Sequence, residues 1–290
     1  MTDRTDWLAD RALRGLIGSV MRLPYASRVP MMGSTLRRAI GPLAGYRRRA
    51  MRNLALIYPD MPDVKRRQIA GAVCDNFGRT LIENYSHQDF ARHLRGTEAT
   101  GEGMLALAEA AAKARPVIFV TGHFGNHEAP RQVLTRLGHT IGGLYRPMAN
   151  AYFNAHYAKT MTSWGGPVFA QGSKGTIGFA RHLKSGGMGT LLFDVNSDAG
   201  EPIDFMGRTA MTATSAADMA LKFDALVLPY FGTRKADGLH FDIVVEAPIA
   251  LSDPITMTAE MNARLAARVH QTPEQWFWVH RRWKNKQGRI

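Results

Sequence analysis

Pro116-Val117-Ile118-Phe119-Val120-Thr121-Gly122-His123-Phe124-Gly125-Asn126-His127-Glu128 is an apolar run that empties into a polar cluster holding two histidines and a carboxylate. A short, β-branched run without alternation, bounded by Pro116 and Gly122, predicts a strand buried on both faces. His123 then falls at the carboxyl end of that strand, where open α/β sheets place their chemistry. Glu128-Ala129-Pro130-Arg131 continues with an acid and an early proline, both first-turn signals of a helix. His123 and Glu128 therefore flank a strand-to-helix turn. A carboxylate at that spacing can fix the imidazole tautomer and leave the other ring nitrogen free to take a proton. Gly125 permits a sharp backbone path, and the helix N-terminus offers unpaired N–H groups to an oxyanion or phosphate. The other use of a histidine here is to cap the helix or satisfy a buried backbone group.

On either side of this stretch, strand and helix patterns alternate. Helices are predicted near 6–22, 47–57, 62–86 and 102–114, then a strand at 116–121 and a helix near 128–137. A strand near 140–145, helices near 150–163 and 173–185, and a strand at 188–193 ending on Asp194 follow. A helix near 214–223 leads to strands 225–232 and 239–246, and helices near 256–270 and 273–284 close the chain. This order predicts a single α/β domain with a central, mostly parallel mixed sheet flanked by helices, its last two strands antiparallel. Tyr145-Arg146 and Asp194 also follow strands, so His123, Arg146 and Asp194 converge on one rim of the sheet.

The 290 residues carry a net charge of +13, which leaves nucleic acid, an anionic membrane or an acidic protein as partners. The cations gather at the ends. Arg4, Arg11, Arg14, Arg22, Arg28, Arg37, Arg38, Arg47, Arg48 and Arg49 crowd the first fifty residues, and Arg281, Arg282, Lys284, Lys286 and Arg289 the last ten. Residues 1–44 form a basic amphipathic helical extension to a domain at 45–290. In it Ala9, Leu13, Leu16, Ile17, Val20 and Met21 recur at helical spacing, a stripe that either packs on the core or lies on a membrane. No run approaches the ~20 apolar residues of a bilayer span, and no signal peptide is evident. The single cysteine, Cys74, sits in a helical stretch and reads as packing, with no disulfide framework.

Other motifs fail on spacing. His127-Glu128-Ala129-Pro130-Arg131 lacks the second histidine of a zinc-protease helix, so no metal is expected. Gly172-Ser173-Lys174-Gly175-Thr176 lacks the contiguous Gly-Lys-Ser/Thr of a phosphate loop, and no Gly-x-Ser-x-Gly elbow is present. Trp276, Trp278 and Trp283 beside Arg281, Arg282 and Lys284 could stack nucleic-acid bases, but at helical spacing they read better as core or membrane-interface anchors, so no nucleic-acid partner is expected.

His123-Phe124-Gly125-Asn126-His127-Glu128 resembles the H-x4-D/E signature of the lysophospholipid acyltransferase superfamily, closest to the HFGNWE form of its lipid A lauroyl and myristoyl acyltransferase branch. Further segments resemble that branch in order from about residue 45 to 285. They are Arg52-Asn53-Leu54-Ala55-Leu56-Ile57-Tyr58-Pro59, Asn76-Phe77-Gly78-Arg79-Thr80-Leu81-Ile82-Glu83, Tyr145-Arg146-Pro147-Met148-Ala149-Asn150, Phe205-Met206-Gly207 with Thr212, and Pro273-Glu274-Gln275-Trp276-Phe277-Trp278-Val279-His280-Arg281-Arg282-Trp283-Lys284. Two departures stand out: His127 replaces the usual tryptophan, and Asp194-Val195-Asn196 replaces Asp-Gln. The resemblance implies transfer of an acyl chain from a thioester, carried by acyl carrier protein or coenzyme A, to a hydroxyl of a glycolipid such as a lipid A precursor. It implies His123 as general base with Glu128 as its partner, and Arg146 on an anionic group or the oxyanion. Asp194, Gly125, Asn126 and Asn150 follow as supporting substrate contacts. No cofactor beyond the acyl thioester is expected. The implied partners are an acidic acyl carrier protein, an anionic membrane surface and the glycolipid, and the implied place is peripheral, on the cytoplasmic face of a bacterial inner membrane. A basic protein that binds membrane or nucleic acid without catalysis is the other function the chain admits.

Overall fold

The computed structural model describes residues 3–148, 150–163 and 165–284; Ala149, Lys286 and Arg289, named above, lie outside them. The expected strand is β2 (Val117–Thr121), all five residues buried. It lies centrally in a seven-stranded sheet of order β1 (Ala99–Thr100), β9 (Phe241–Val245), β8 (Leu226–Arg234), β2, β5 (Met188–Leu192), β3 (Ile141–Tyr145), β4 (Val168–Ala170). Only β8 and β9 pair antiparallel, as expected for the last two strands of the sheet. Outside the sheet, β6 (Glu201–Phe205) and β7 (Arg208–Thr212) form a hairpin.

The helices are α1 (Asp3–Val20), α2 (Tyr25–Thr35), α3 (Gly41–Leu43), α4 (Tyr46–Ile57), α5 (Asp63–Tyr85), α6 (His87–His93), α7 (Gly103–Ala112), α8 (Glu128–Arg136), α9 (Ala151–Thr162), α10 (Ser173–Lys184), α11 (Ser215–Phe223) and α12 (Pro254–Gln271). Alternate side chains of β2 point into two cores. Phe119 packs with Leu107 of α7, Leu134 of α8 and Tyr230. Ile118 and Val120 pack on the opposite face with Phe179 of α10, Ala217 of α11, Leu265 of α12 and Trp276. Burying both of its faces is what removes the polar alternation from β2.

The N-terminal stripe packs inward. Ile17 and Val20 of α1 join Val29 and Met32 of α2, Ile82 of α5 and Phe153 of α9 in a third cluster. Residues 24–44, expected to belong to the helical extension but given no helix of their own, hold α2, a π-helical turn at Leu36–Ile40 and α3. Their prolines and glycines read locally as breakers, but the glycines allow close packing. A Cβ at Gly78 of α5 would stand 2.6 Å from the Met32 carbonyl. The β6–β7 hairpin was also unexpected, because its tight turn puts Met206 (φ 58°) ahead of Gly207 (φ 76°), where Asn or Asp would have signalled it.

The expected helix at 273–284 does not form. A 3-10 turn at Pro273–Gln275 leads into extended backbone at Trp276, which bridges antiparallel to Phe124. The tryptophans share the core, but the backbone there answers to the turn after β2.

One ion pair ties α5 to the sheet. Glu83, fully buried, accepts from both guanidinium nitrogens of Arg234 on β8, at 2.5 and 2.7 Å, and from Asn126 Nδ2 at 2.8 Å. Removing one member of such a pair leaves the other charge buried alone. Glu83→Ala is expected to destabilise the protein by about 3–5 kcal/mol in urea unfolding; a loss under about 1 kcal/mol would contradict this assignment.

Candidate active site

The sheet register assembles the site. Thr121 of β2 pairs in parallel with Leu192 of β5. Two residues beyond each, His123 and Asp194 stand side by side. Asp194, wholly buried, takes three hydrogen bonds: from His123 Nδ1 to Oδ1 at 2.8 Å, and from the His123 backbone N–H and Trp276 Nε1 to Oδ2 at 2.7 and 2.8 Å. Burial alone would raise this carboxyl, but the adjacent imidazole and these hydrogen bonds outweigh it and hold Asp194 well below the usual carboxylate range. With Nδ1 turned to Asp194, Nε2 of His123 is the atom left to accept a proton.

The turn carrying His123 is clamped by backbone. Phe277 N–H donates to the His123 carbonyl at 2.9 Å, and Gly125 N–H donates to the Gln275 carbonyl at 2.9 Å. The Gly125 carbonyl accepts from Asn76 Nδ2 at 3.1 Å and Thr80 Oγ1 at 2.9 Å, both on α5. Gly125 holds φ +54°, and a Cβ there would meet the Gly232 carbonyl at 1.9 Å. Only glycine fits that approach. Gln275 in turn accepts from the Arg234 N–H at 2.7 Å and donates to its carbonyl at 2.8 Å.

The residues expected at the site divide. Asp194, expected as a supporting contact, holds the position beside His123 that the sequence assigned to Glu128. Glu128 instead faces Arg131, whose Nη1 lies 3.5 Å from its Oε2, three residues along α8. The helix turns the Glu128 side chain toward its own next turn. Gly125 and Asn126, expected to touch substrate, are consumed by the clamp: Asn126 donates to Glu83 and its Oδ1 accepts the Glu128 N–H at 3.0 Å. The Ala129 N–H is likewise taken by the Asn126 carbonyl, so these first amides of α8 are not open to an oxyanion. Asn150 caps α9, accepting from Phe153 N–H at 3.0 Å and donating to the Asp6 carbonyl at 2.8 Å. None of these three lines the cavity described next.

That cavity, about 1080 Å³, is lined by His123, His127, Glu128, Arg131, Tyr157 and Thr190, with Arg146, Arg281 and Lys284 also on its walls. His280, missed in the sequence, stands edge-on to His123 with ring centroids 4.5 Å apart. The histidine of the closing motif was the available signal. Burial, followed by the nearby His123, pushes His280 down to about 3, and burial pushes His127 down to about 4. Both are neutral near pH 7. Among the described residues, the donors of His123, Asp194 and His280 lie within 4.8 Å of one another and form the group compact enough to hold a cation.

A mostly parallel α/β sheet presents a buried carboxylate–histidine pair at the wall of a cavity that also carries arginines, an arrangement that marks a candidate catalytic site. Residues 5–285 match the model of the bacterial lipid A biosynthesis acyltransferase family, and the chain belongs to that family. It is 26% identical to a lipid A biosynthesis lauroyltransferase of Escherichia coli (strain K12), over 94% of this chain and 90% of the relative. It is 23% identical to a lipid A biosynthesis myristoyltransferase of the same strain, over 94% and 84%, and 24% identical to lipid A biosynthesis acyltransferase 2 of Shigella flexneri, over 91% and 86%.

The neutral histidines set an acid limit on the fold. Below the ordinary histidine value of 6.5 the unfolded chain binds protons that folded His280 and His127 refuse, so stability rises with pH from about 3 to 6.5. His280→Gln is expected to lose less melting temperature between pH 7 and pH 5 than the parent; an equal or larger loss would contradict neutral burial of His280.

Proposed function

We propose that this protein transfers a fatty acyl chain from an acyl thioester to a hydroxyl of a lipid A precursor, with His123 as general base. The observation that carries the reading is the His123 Nδ1–Asp194 Oδ1 bond of 2.8 Å at the edge of a deep cavity. Asp194 holds the tautomer, and Nε2 takes the acceptor hydroxyl proton as its oxygen attacks the thioester carbonyl. The tetrahedral intermediate collapses, the C–S bond breaks, and the imidazolium returns the proton to the leaving thiolate. The products are an ester and a free thiol, with no covalent intermediate on the protein. Arg146, exposed on the cavity wall, is suited to the oxyanion or to an anionic group of the acceptor.

Charge supports the partners. A net +13 attracts an acidic acyl carrier protein and anionic headgroups alike. Among the described residues no helix is long and apolar enough to cross a membrane. Trp7 (44% exposed), Leu8 (60%) and Leu43 (88%) show apolar surface in the arginine-rich N-terminal segment, the pairing that a peripheral protein on the cytoplasmic face of an inner membrane uses.

His123→Ala is expected to lower transfer from acyl carrier protein or coenzyme A thioesters to a lipid hydroxyl by on the order of 10²–10⁴-fold while the fold persists by circular dichroism. Full activity in the folded variant would overturn the reading. Mass spectrometry of lipids from cells with and without the gene is expected to differ by one acyl chain.

A further inference from the structure

One ring nitrogen each of His123 and His280 and one Asp194 oxygen lie within 4.8 Å of one another. They come from beyond the ends of β2 and β5 and from the segment after α12, so no local spacing in the sequence signals the set. His280 stands edge-on to His123, and its backbone is fixed on both sides: its N–H donates to the Phe277 carbonyl at 3.1 Å, and Asn53 Nδ2 donates to its carbonyl at 2.8 Å. The Nε2 of His280 is buried and has no hydrogen-bond partner among the described residues. A buried polar atom left unpaired is disfavoured, so this nitrogen calls for a ligand. Asp194 commits Oδ2 to the His123 N–H and to Trp276 Nε1, but Oδ1 to His123 Nδ1 alone, and a carboxylate oxygen can accept twice.

The donor set selects the ion. Two imidazoles and one carboxylate suit zinc and its neighbours cobalt, nickel and copper, whereas magnesium and calcium take oxygen ligands. Arg146, Arg281 and Lys284 on the cavity wall repel any cation. An ion held by charge alone therefore gains little here, and only one that bonds strongly to imidazole is retained. Bond lengths near 2.0–2.2 Å place tetrahedral ligands about 3.4 Å apart, so the widest pair draws in by at most about 1.5 Å. Both histidines line the cavity, which supplies the path for the ion and its fourth, open position.

We propose that His123, Asp194 and His280 form a binding site for zinc or a like divalent transition metal, and that the bound ion shuts off His123 as a base. Ligation at Nε2 covers the atom that takes the hydroxyl proton and displaces only water. Ligation at Nδ1 releases the Nδ1 proton to solvent and breaks the bond to Asp194 that sets the tautomer. Both remove the base. The binding stands on the geometry alone; the inhibition rests on the acyl-transfer reading.

The test uses the full chain, freed of metal by a chelator and titrated with zinc by calorimetry and with cobalt by its visible absorption. One ion per chain is expected, with the absorption of a tetrahedral site, and magnesium is expected not to bind. His280→Gln and His123→Ala, each checked for folding by thermal melting, are expected to weaken zinc by at least about 10-fold. His127→Phe and His240→Gln are expected to leave binding unchanged. Zinc is expected to stop acyl transfer over the concentrations at which it binds, and a chelator to restore it. No stoichiometric binding of zinc, or binding lost in His127→Phe or His240→Gln but kept in His280→Gln and His123→Ala, overturns the site. Binding at His280 that leaves the transfer rate unchanged overturns the inhibition. Zinc bound through His280 by a metal-free protein that transfers no acyl chain overturns the acyl-transfer reading and supports the ion site.

Discussion

The close approach of Gly125 to the carbonyl of Gly232 is the constraint on which the site depends. A side chain of any size there would collide at 1.9 Å, so the turn after β2 can be drawn tight against β8 only through glycine. That tightness brings the Gly125 carbonyl to Asn76 and Thr80, its N–H to Gln275, and the His123 carbonyl to Phe277. Three distant segments, α5, β8 and the stretch after α12, thereby hold the one turn between β2 and α8. The buried Glu83–Arg234 pair locks two of them together.

This clamp accounts for the electrostatics of the site. Asp194 is wholly buried, a placement that disfavours a carboxylate unless donors compensate. The backbone N–H of His123, its Nδ1 and Trp276 Nε1 provide them, and two of the three come from the clamped turn itself. Trp276 reaches Asp194 because its backbone is extended and bridged to Phe124. The tryptophan-rich tail is therefore a structural member of the site, and its Arg281 and Lys284 line the cavity.

What local sequence made legible were the features with local causes. The unalternating run at 117–121 gave β2, the glycine and the first-turn acid gave the turn and α8, and the parallel order followed from alternation. His123 was found for the same reason. That Asp194 shares a rim with His123 was legible too, since both follow strands, but its place on Nδ1 was not, since 71 residues separate them and only the Thr121–Leu192 register sets them side by side. Glu128 was the carboxylate nearest in sequence, but helical geometry turned it to Arg131. The helix expected at 273–284 failed because spacing of tryptophans reports burial, and an extended segment paired with another strand buries them equally well. Asn126 and Asn150 look like ligands in a motif, yet both satisfy backbone N–H groups at helix starts, as short amide side chains commonly do.

The central claim is that Asp194, and not Glu128, is the group that orients His123. Steady-state kinetics of Asp194→Asn and Glu128→Gln with a fixed donor and lipid acceptor test it most directly. Asp194→Asn is expected to lower kcat by about 10³-fold or more at nearly unchanged KM, as loss of an orienting carboxylate does to a histidine base, and Glu128→Gln to cost far less. Near-full activity in Asp194→Asn, with the large loss falling on Glu128→Gln, would contradict it.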